Sequence, residues 1–259
     1  MFYCGTCGFS YNDWVGPYYP EGLPRKDWLG YYAREFNSLE LNSTYYVLPG
    51  LATMESLARK TGDGFLFSVK ANQEITHVRQ SGEEACRAFI RILQPLVEAH
   101  KLGCVLAQFP YSFGFNPTNT DYLRRLGDWL KGYPLVIEFR NSAWLNSDTR
   151  GWMVAQGIGF CCVDEPQLPR LMPPVADVTG QTGYIRFHGR NAAKWWEHEQ
   201  AWERYDYSYS AQELEQWLPK IRLVSDTAEN TFIFANNHWR GQAVDTIRQV
   251  RSMLDQLIT

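Results

Sequence analysis

Three cations lie at the ends of short apolar runs in the chain: Lys70 in FLFSVKAN, Arg140 in PLVIEFR and Arg186 in GYIRFHG. If the runs are strands, side chains two apart share a face, so Glu138 accompanies Arg140 and His188 accompanies Arg186. Brought to one place, Lys70, Arg140 and Arg186 would grip a phosphate or carboxylate, the arginines in bidentate fashion. Glu138 and His188 could then share acid–base work, because neighbouring charges tune their pKa values. Asn236 and Asn237, which end TFIFANN, offer neutral donors to a developing oxyanion.

The same polar set permits other readings. Glu40, Glu138, Asp164 and His188 are suitable types for a divalent metal, as in metal-dependent nuclease or isomerase barrels. Against this stand the three neighbouring cations and the lack of any H-x-x-x-H or H-x-H spacing. A non-catalytic module for a nucleotide or single-stranded nucleic acid would use aromatic stacking with a cationic mouth. No G-x-x-x-x-G-K phosphate loop supports it. The plainest alternative is structural: three acids (Glu40, Glu138, Asp164) neutralising three bases in a buried network.

Positioning these residues requires a particular frame. Eight short apolar runs recur, at residues 2–9, 38–46, 65–72, 104–110, 134–140, 159–165, 183–189 and 231–237. Each has strand length, and most are rich in aromatic or β-branched residues. Amphipathic segments separate several of them, at 24–36, 81–101 with Ser81 as the expected cap, around 123–130, around 214–221, and from Ala243 to Leu257. Strand alternating with helix eight times predicts a closed parallel (β/α)8 barrel of the TIM type, as a single domain over 1–259. Two connections depart from the ideal. Residues 166–182 hold four prolines and should form an irregular sixth crossover, and the connection after the seventh strand is long and aromatic-rich (KWWEHEQAWERYDYSYS).

Polar residues at one parity near strand C-termini are informative in a fold whose strands are otherwise apolar on both faces. They are Glu40, Asn42 and Thr44, then Ser68 and Lys70, Gln108, Glu138 and Arg140, Asp164, Arg186 and His188, and finally Asn236, Asn237 and His238. Gly5, Asn42, Lys70, Gln108, Arg140, Asp164, His188 and Asn237 are expected near one rim. Cys4 and Cys7 differ by an odd number, so a strand sends them to opposite faces and a bridge between them is not expected. The six cysteines read as free core thiols, with Cys7 near the mouth.

Composition narrows the class. The 259 residues carry a net charge of −3 and a pI of about 6.0, so there is no global electrostatic case for nucleic acid or an anionic membrane. No run of 18 apolar residues exists, and the N-terminus lacks a signal-peptide pattern, which predicts a cytoplasmic protein without membrane contact. Ten Trp and fifteen Tyr suit aromatic-lined pockets or a large core.

The motifs GTCGFSYNDWVGPYYPEGLP, FNSLELNSTYYVLP, FSVKANQEITH, AQFPYSF, IEFRNSAW, YIRFHGR and FANNHWRGQAV resemble, in order from about residue 3 to 247, those of the YecE-like family, catalogued as domain of unknown function 72. That resemblance implies a TIM-type barrel and supplies no reaction. The family pattern usually has serine at the position of Cys7 and Tyr or Trp at that of Phe9, so the cysteine pair is not a family device. It marks Ser10, Tyr11, Trp14, Asn42, Tyr45, Lys70, His77, Gln108, Glu138, Arg140, Trp144, Arg186, His188, Asn236, Asn237 and His238 as shared positions. Tyr11, Trp14 and Trp144 would wall a pocket. The expectation is therefore an enzyme with a strand-end pocket for a small anionic substrate, catalysis by Glu138 and His188, and no cofactor, a divalent metal being the alternative.

Overall fold

The computed structural model of the protein describes residues 1–258. Its strands are β1 (Phe2–Thr6), β2 (Ser38–Leu41), β3 (Leu66–Lys70), β4 (Leu102–Gln108), β5 (Leu135–Glu138), β6 (Gly159–Asp164), β7 (Thr182–Phe187) and β8 (Asn230–Ala235). They pair in parallel in the order β1-β8-β7-β6-β5-β4-β3-β2. The helices are α1 (Trp28–Tyr32), α2 (Ser43–Tyr46), α3 (Leu51–Arg59), α4 (Gly82–Glu98), α5 (Pro117–Trp129), α6 (Ser147–Gln156), α7 (Ala211–Glu215), α8 (Leu218–Thr227) and α9 (Gln242–Ile258). This is the eight-stranded α/β barrel that the alternation of runs predicts. Among the described residues, no helix is long and apolar enough to cross a membrane.

Side chains splice the seam between β1 and β2. Thr6 N–H donates to Tyr32 Oη at 2.8 Å, and that hydroxyl donates to Ser38 O at 3.0 Å. Asn37 works similarly lower down, accepting from Cys4 N–H and donating to Phe2 O. A main-chain bridge follows at Cys7 and Glu40, with Gly8 N–H donating to Glu40 O. Gly5 lies against this seam, where a Cβ would come within 2.0 Å of Ser38 O, so only glycine lets the strands approach.

Several local expectations need adjustment. The segment 24–36 is a 3-10 turn at Arg25–Asp27 followed by the short α1. Ser81 stands at the N-cap of α4, but its side chain makes no capping bond. The segment around 214–221 breaks into α7, opened by a Ser210–Glu213 capping box, and α8, with Pro219 in its first turn. The crossover from β6 to β7 contains no helix among the described residues. Helices α2, α3 and α6 lie outside the amphipathic segments read from the sequence.

Register decides which residues face inward. Cys161 pairs with Tyr184, and Arg186 with Val163 and Phe234, so these share the barrel interior. Asp164 pairs with Phe187, whose ring packs against Tyr209 and Trp217 in the outer layer. All six cysteines are free and buried. Cys7 faces Arg186 at 3.4 Å inside the barrel, and burial keeps its thiol protonated by raising its pKa well above the ordinary value. Cys4 faces away from Cys7, beside α9, and burial pushes it up to about 12.

Candidate functional site

The barrel interior is plugged below its mouth by a buried ionic network. Arg186 is 1% exposed and donates to Glu40 Oε1 at 2.6 Å and Glu138 Oε2 at 2.5 Å. Tyr184 Oη donates to the other Glu40 oxygen at 2.6 Å and meets Ser68 Oγ at 2.6 Å. One layer higher, Arg140 pairs with Glu138 Oε1 at 2.5 Å and Glu165 Oε2 at 2.8 Å. His188 sits between, its Nε2 3.1 Å from Glu138 Oε1 and its Nδ1 3.1 Å from Asn236 Nδ2. Arg140 Nη2 also lies 3.0 Å from Nε2, so a neutral ring either donates from Nε2 to Glu138 and accepts at Nδ1 from Asn236, or accepts at Nε2 from Arg140.

The electrostatics agree with a neutral ring. Burial first, then the Arg140 charge, pushes His188 well below its ordinary pKa. Burial alone would raise Glu138, but Arg140, Arg186 and His188 outweigh it and hold the carboxyl well below the usual range. Burial pushes Glu165 up to about 7 against the pull of Arg140, although its oxygens also accept from Met172 N–H.

Above this plug opens a cavity of about 250 Å³. Lys70 enters it from the end of β3, its Nζ 4.7 Å over the Tyr45 ring, and burial first, then Arg186, lowers its pKa to about 8. His77 follows on a π-helical turn at Glu74–Val78, a geometry often found at functional sites. Its Nδ1 meets Thr76 Oγ1 at 2.9 Å, and burial and the Lys70 charge push it down to about 4. The long connection after β7 supplies the opposite wall. Trp195 inserts between the guanidinium groups of Arg140 and Arg204, 5.7 and 5.3 Å from its ring centre. Trp196 packs edge-on against Tyr111, while Tyr46, Gln108, Pro110, Leu171 and Tyr205 complete the lining.

The structure thus brings Tyr45, Lys70, His77, Gln108 and Arg140 to one pocket and places other candidates elsewhere. Glu138 and His188 are fully buried beneath Arg140 and do not reach the lumen, so the catalytic roles expected of them lack access to a ligand. Arg186 lies deeper in the same plug. Asp164 faces outward, accepting from Arg190, Tyr209 Oη and Trp217 Nε1, and Glu165 is the acid of this strand end that turns inward. Trp144 packs on Phe139 and donates to Phe113 O in the outer layer, so it walls no mouth pocket. Trp14 is buried and donates to His238 O, and Tyr11 stacks on the His238 ring at 4.5 Å. Tyr205 separates this stack from the cavity, 5.4 Å from His238. Asn237 is turned away from the mouth, tying Tyr207 O to Thr246. Ser10 is exposed in the loop after β1, and half-buried Asn42 precedes α2 with its Oδ1 unpartnered.

The four residues considered as metal ligands do not converge, since Glu40 and Glu138 are held by Arg186 and Asp164 faces outward. Residues not anticipated are Glu165, Tyr46, Tyr111, Leu171, Trp195, Trp196, Arg204 and Tyr205. The aromatic tract of the long connection was the available signal for four of them. Without periodicity, it could not say which side chains turn inward.

The fold and site together define an α/β barrel protein with a cation-bearing, aromatic-walled pocket at the C-terminal ends of its strands. The chain belongs to the family described as protein of unknown function DUF72, whose model matches residues 3–258. A curated relative, UPF0759 protein YunF of Bacillus subtilis (strain 168), is 32% identical over 271 residues, covering 98% of this chain and 95% of that protein. A crystal structure of a DUF72 family protein from Thermotoga maritima MSB8 superposes with a TM-score of 0.92 at 39% identity, covering 98% of this chain and 99% of that one. One from Enterococcus faecalis V583 gives 0.86 at 28% identity, covering 98% and 96%.

Proposed function

We propose that the strand-end pocket receives a small organic anion bearing a phosphate or carboxylate, as an enzyme would hold its substrate. One observation carries this reading. Lys70, Arg140 and Arg204 all line the cavity, while the nearby carboxylates of Glu138 and Glu165 are sealed beneath Arg140. The lumen is therefore cationic, and low-dielectric walls strengthen its attraction for anions. Tyr45, Tyr46, Tyr111, Trp196 and Tyr205 offer faces for the apolar part of the ligand. The titratable groups that face such a ligand are Lys70 and His77, in place of Glu138 and His188. A single-stranded nucleic acid needs an extended cationic track, whereas these cations sit within one cavity.

Sulfate stays a dianion across the relevant pH range and serves as the probe. At constant ionic strength and ten times its Kd, it should stabilise the protein by about 1.4 kcal/mol, raising Tm by roughly 3–5 °C. The double variant Lys70→Met/Arg204→Ala should show little response. In the parent protein the response should weaken as pH rises through about 8, where Lys70 loses its charge. Equal sulfate responses in parent and double variant would contradict the proposal.

A further inference from the structure

We propose that Lys70 is a nucleophilic amine that condenses with the carbonyl of a small oxo acid, the acid group being held by Arg140 and Arg204. This rests on the anion-pocket reading and names its substrate class.

Four other lysines show what this chain does with an amine it uses structurally, while Lys26 and Lys131 are exposed. Lys101 Nζ donates to the carbonyls of Ala58, Thr61 and Gly62 at 2.8, 2.5 and 3.0 Å, closing the end of α3. Lys194 pairs with Glu203, Lys60 donates to Lys26 O, and Lys220 donates to Gln216 O. Lys70 differs. Among the described residues its Nζ has no hydrogen-bond acceptor and no carboxylate partner, and it meets only the Tyr45 ring. The acids that face it, Glu40 on β2 and Glu138 on β5, are engaged by Arg186. Arg186, Arg140 and His77 complete its charged and titratable surroundings.

An amine held this way is both accessible and activated. Burial and two neighbouring guanidinium groups lower its pKa to about 8, so at pH 7.5 the neutral fraction is ~200-fold larger than for an ordinary lysine. The neutral nitrogen attacks the carbonyl carbon and forms a C–N bond. The carbonyl oxygen leaves as water, carrying the two protons the nitrogen gives up. The resulting imine then takes one proton from solvent, and no oxidant or reductant takes part. Positive charge from Arg140 and Arg204 favours a substrate whose carboxylate is close to its carbonyl, as in a 2-oxo acid.

The test is reductive trapping with pyruvate and sodium borohydride, read by peptide mass mapping. Lys70 should carry the reduced adduct at least about tenfold above exposed Lys26, Lys60 and Lys131, and sulfate or Arg204→Ala should suppress it. Lactate, which has the carboxylate without the carbonyl, separates the two readings. A Tm increase with lactate but no preferential adduct at Lys70 would overturn the imine and leave the anion pocket standing. Neither a lactate response nor a Lys70 adduct would overturn both.

Discussion

Replacing Arg186 with methionine is expected to destabilise the protein by about 3–5 kcal/mol, a fall in Tm of roughly 6–18 °C. Methionine keeps the apolar stem and removes the guanidinium, so charge, donors and the volume at the tip are lost together. Glu40 and Glu138 are each 0% exposed, and Arg186 reaches a carboxylate oxygen of both. Without it, Tyr184 still donates to Glu40, and Arg140 and His188 still face Glu138, but two carboxylates remain in a dry interior with one cation fewer. Such groups adapt by taking up protons, which raises their folded-state pKa. A raised folded pKa contributes stability at low pH that is lost as pH rises, so the deficit of the variant should be larger at pH 8 than at pH 5. Calorimetric melts of both proteins at these pH values check this. A loss below about 1 kcal/mol, unchanged with pH, would mean that water reaches the network.

Replacing Asp164 with alanine should be comparably damaging, about 3–5 kcal/mol, for a different reason. Its carboxylate accepts from Arg190 Nε and Nη2 at 2.8 and 2.6 Å, from Tyr209 Oη at 2.7 Å and from Trp217 Nε1 at 2.5 Å. These four donors lose their acceptor together. They also tie down both ends of the connection that carries Trp195, Trp196, Arg204 and Tyr205 over the mouth. The variant should therefore lose its sulfate response and become sensitive to protease between residues 190 and 209, whereas Asp164→Asn, which keeps shape and one carbonyl acceptor, should fall between. Urea unfolding and limited proteolysis measure both effects. A stable Asp164→Ala protein that still responds to sulfate would show that other contacts hold this wall.

The surroundings of Arg186 and Asp164 also show how far the sequence alone reaches. The strands were legible because each is a short apolar run between polar segments, and parity identified Glu40, Lys70, Glu138, Arg186 and His188 as sharing the interior face. Parity gives a face and not a depth. Glu138 and His188 lie one layer below the lumen, which only the packing of eight strands around a narrow interior determines. In GFCCVDE every residue from Gly159 to Glu165 is buried, so neither parity stands out and Asp164 could not be told from Glu165. The pocket wall from Trp195 to Tyr205 was visible as an aromatic tract without period. The Tyr32 and Asn37 splice at the seam depends on long-range contacts that no local pattern announces.

The most direct test of the anion pocket is diffraction from crystals containing selenate, a sulfate analogue whose selenium scatters anomalously. The expected result is an anomalous peak in the mouth cavity, within hydrogen-bonding reach of Arg140 and Arg204 and facing Lys70, that disappears in crystals of Lys70→Met/Arg204→Ala. Peaks confined to surface arginines, with none between Arg140, Arg204 and Lys70, would contradict it.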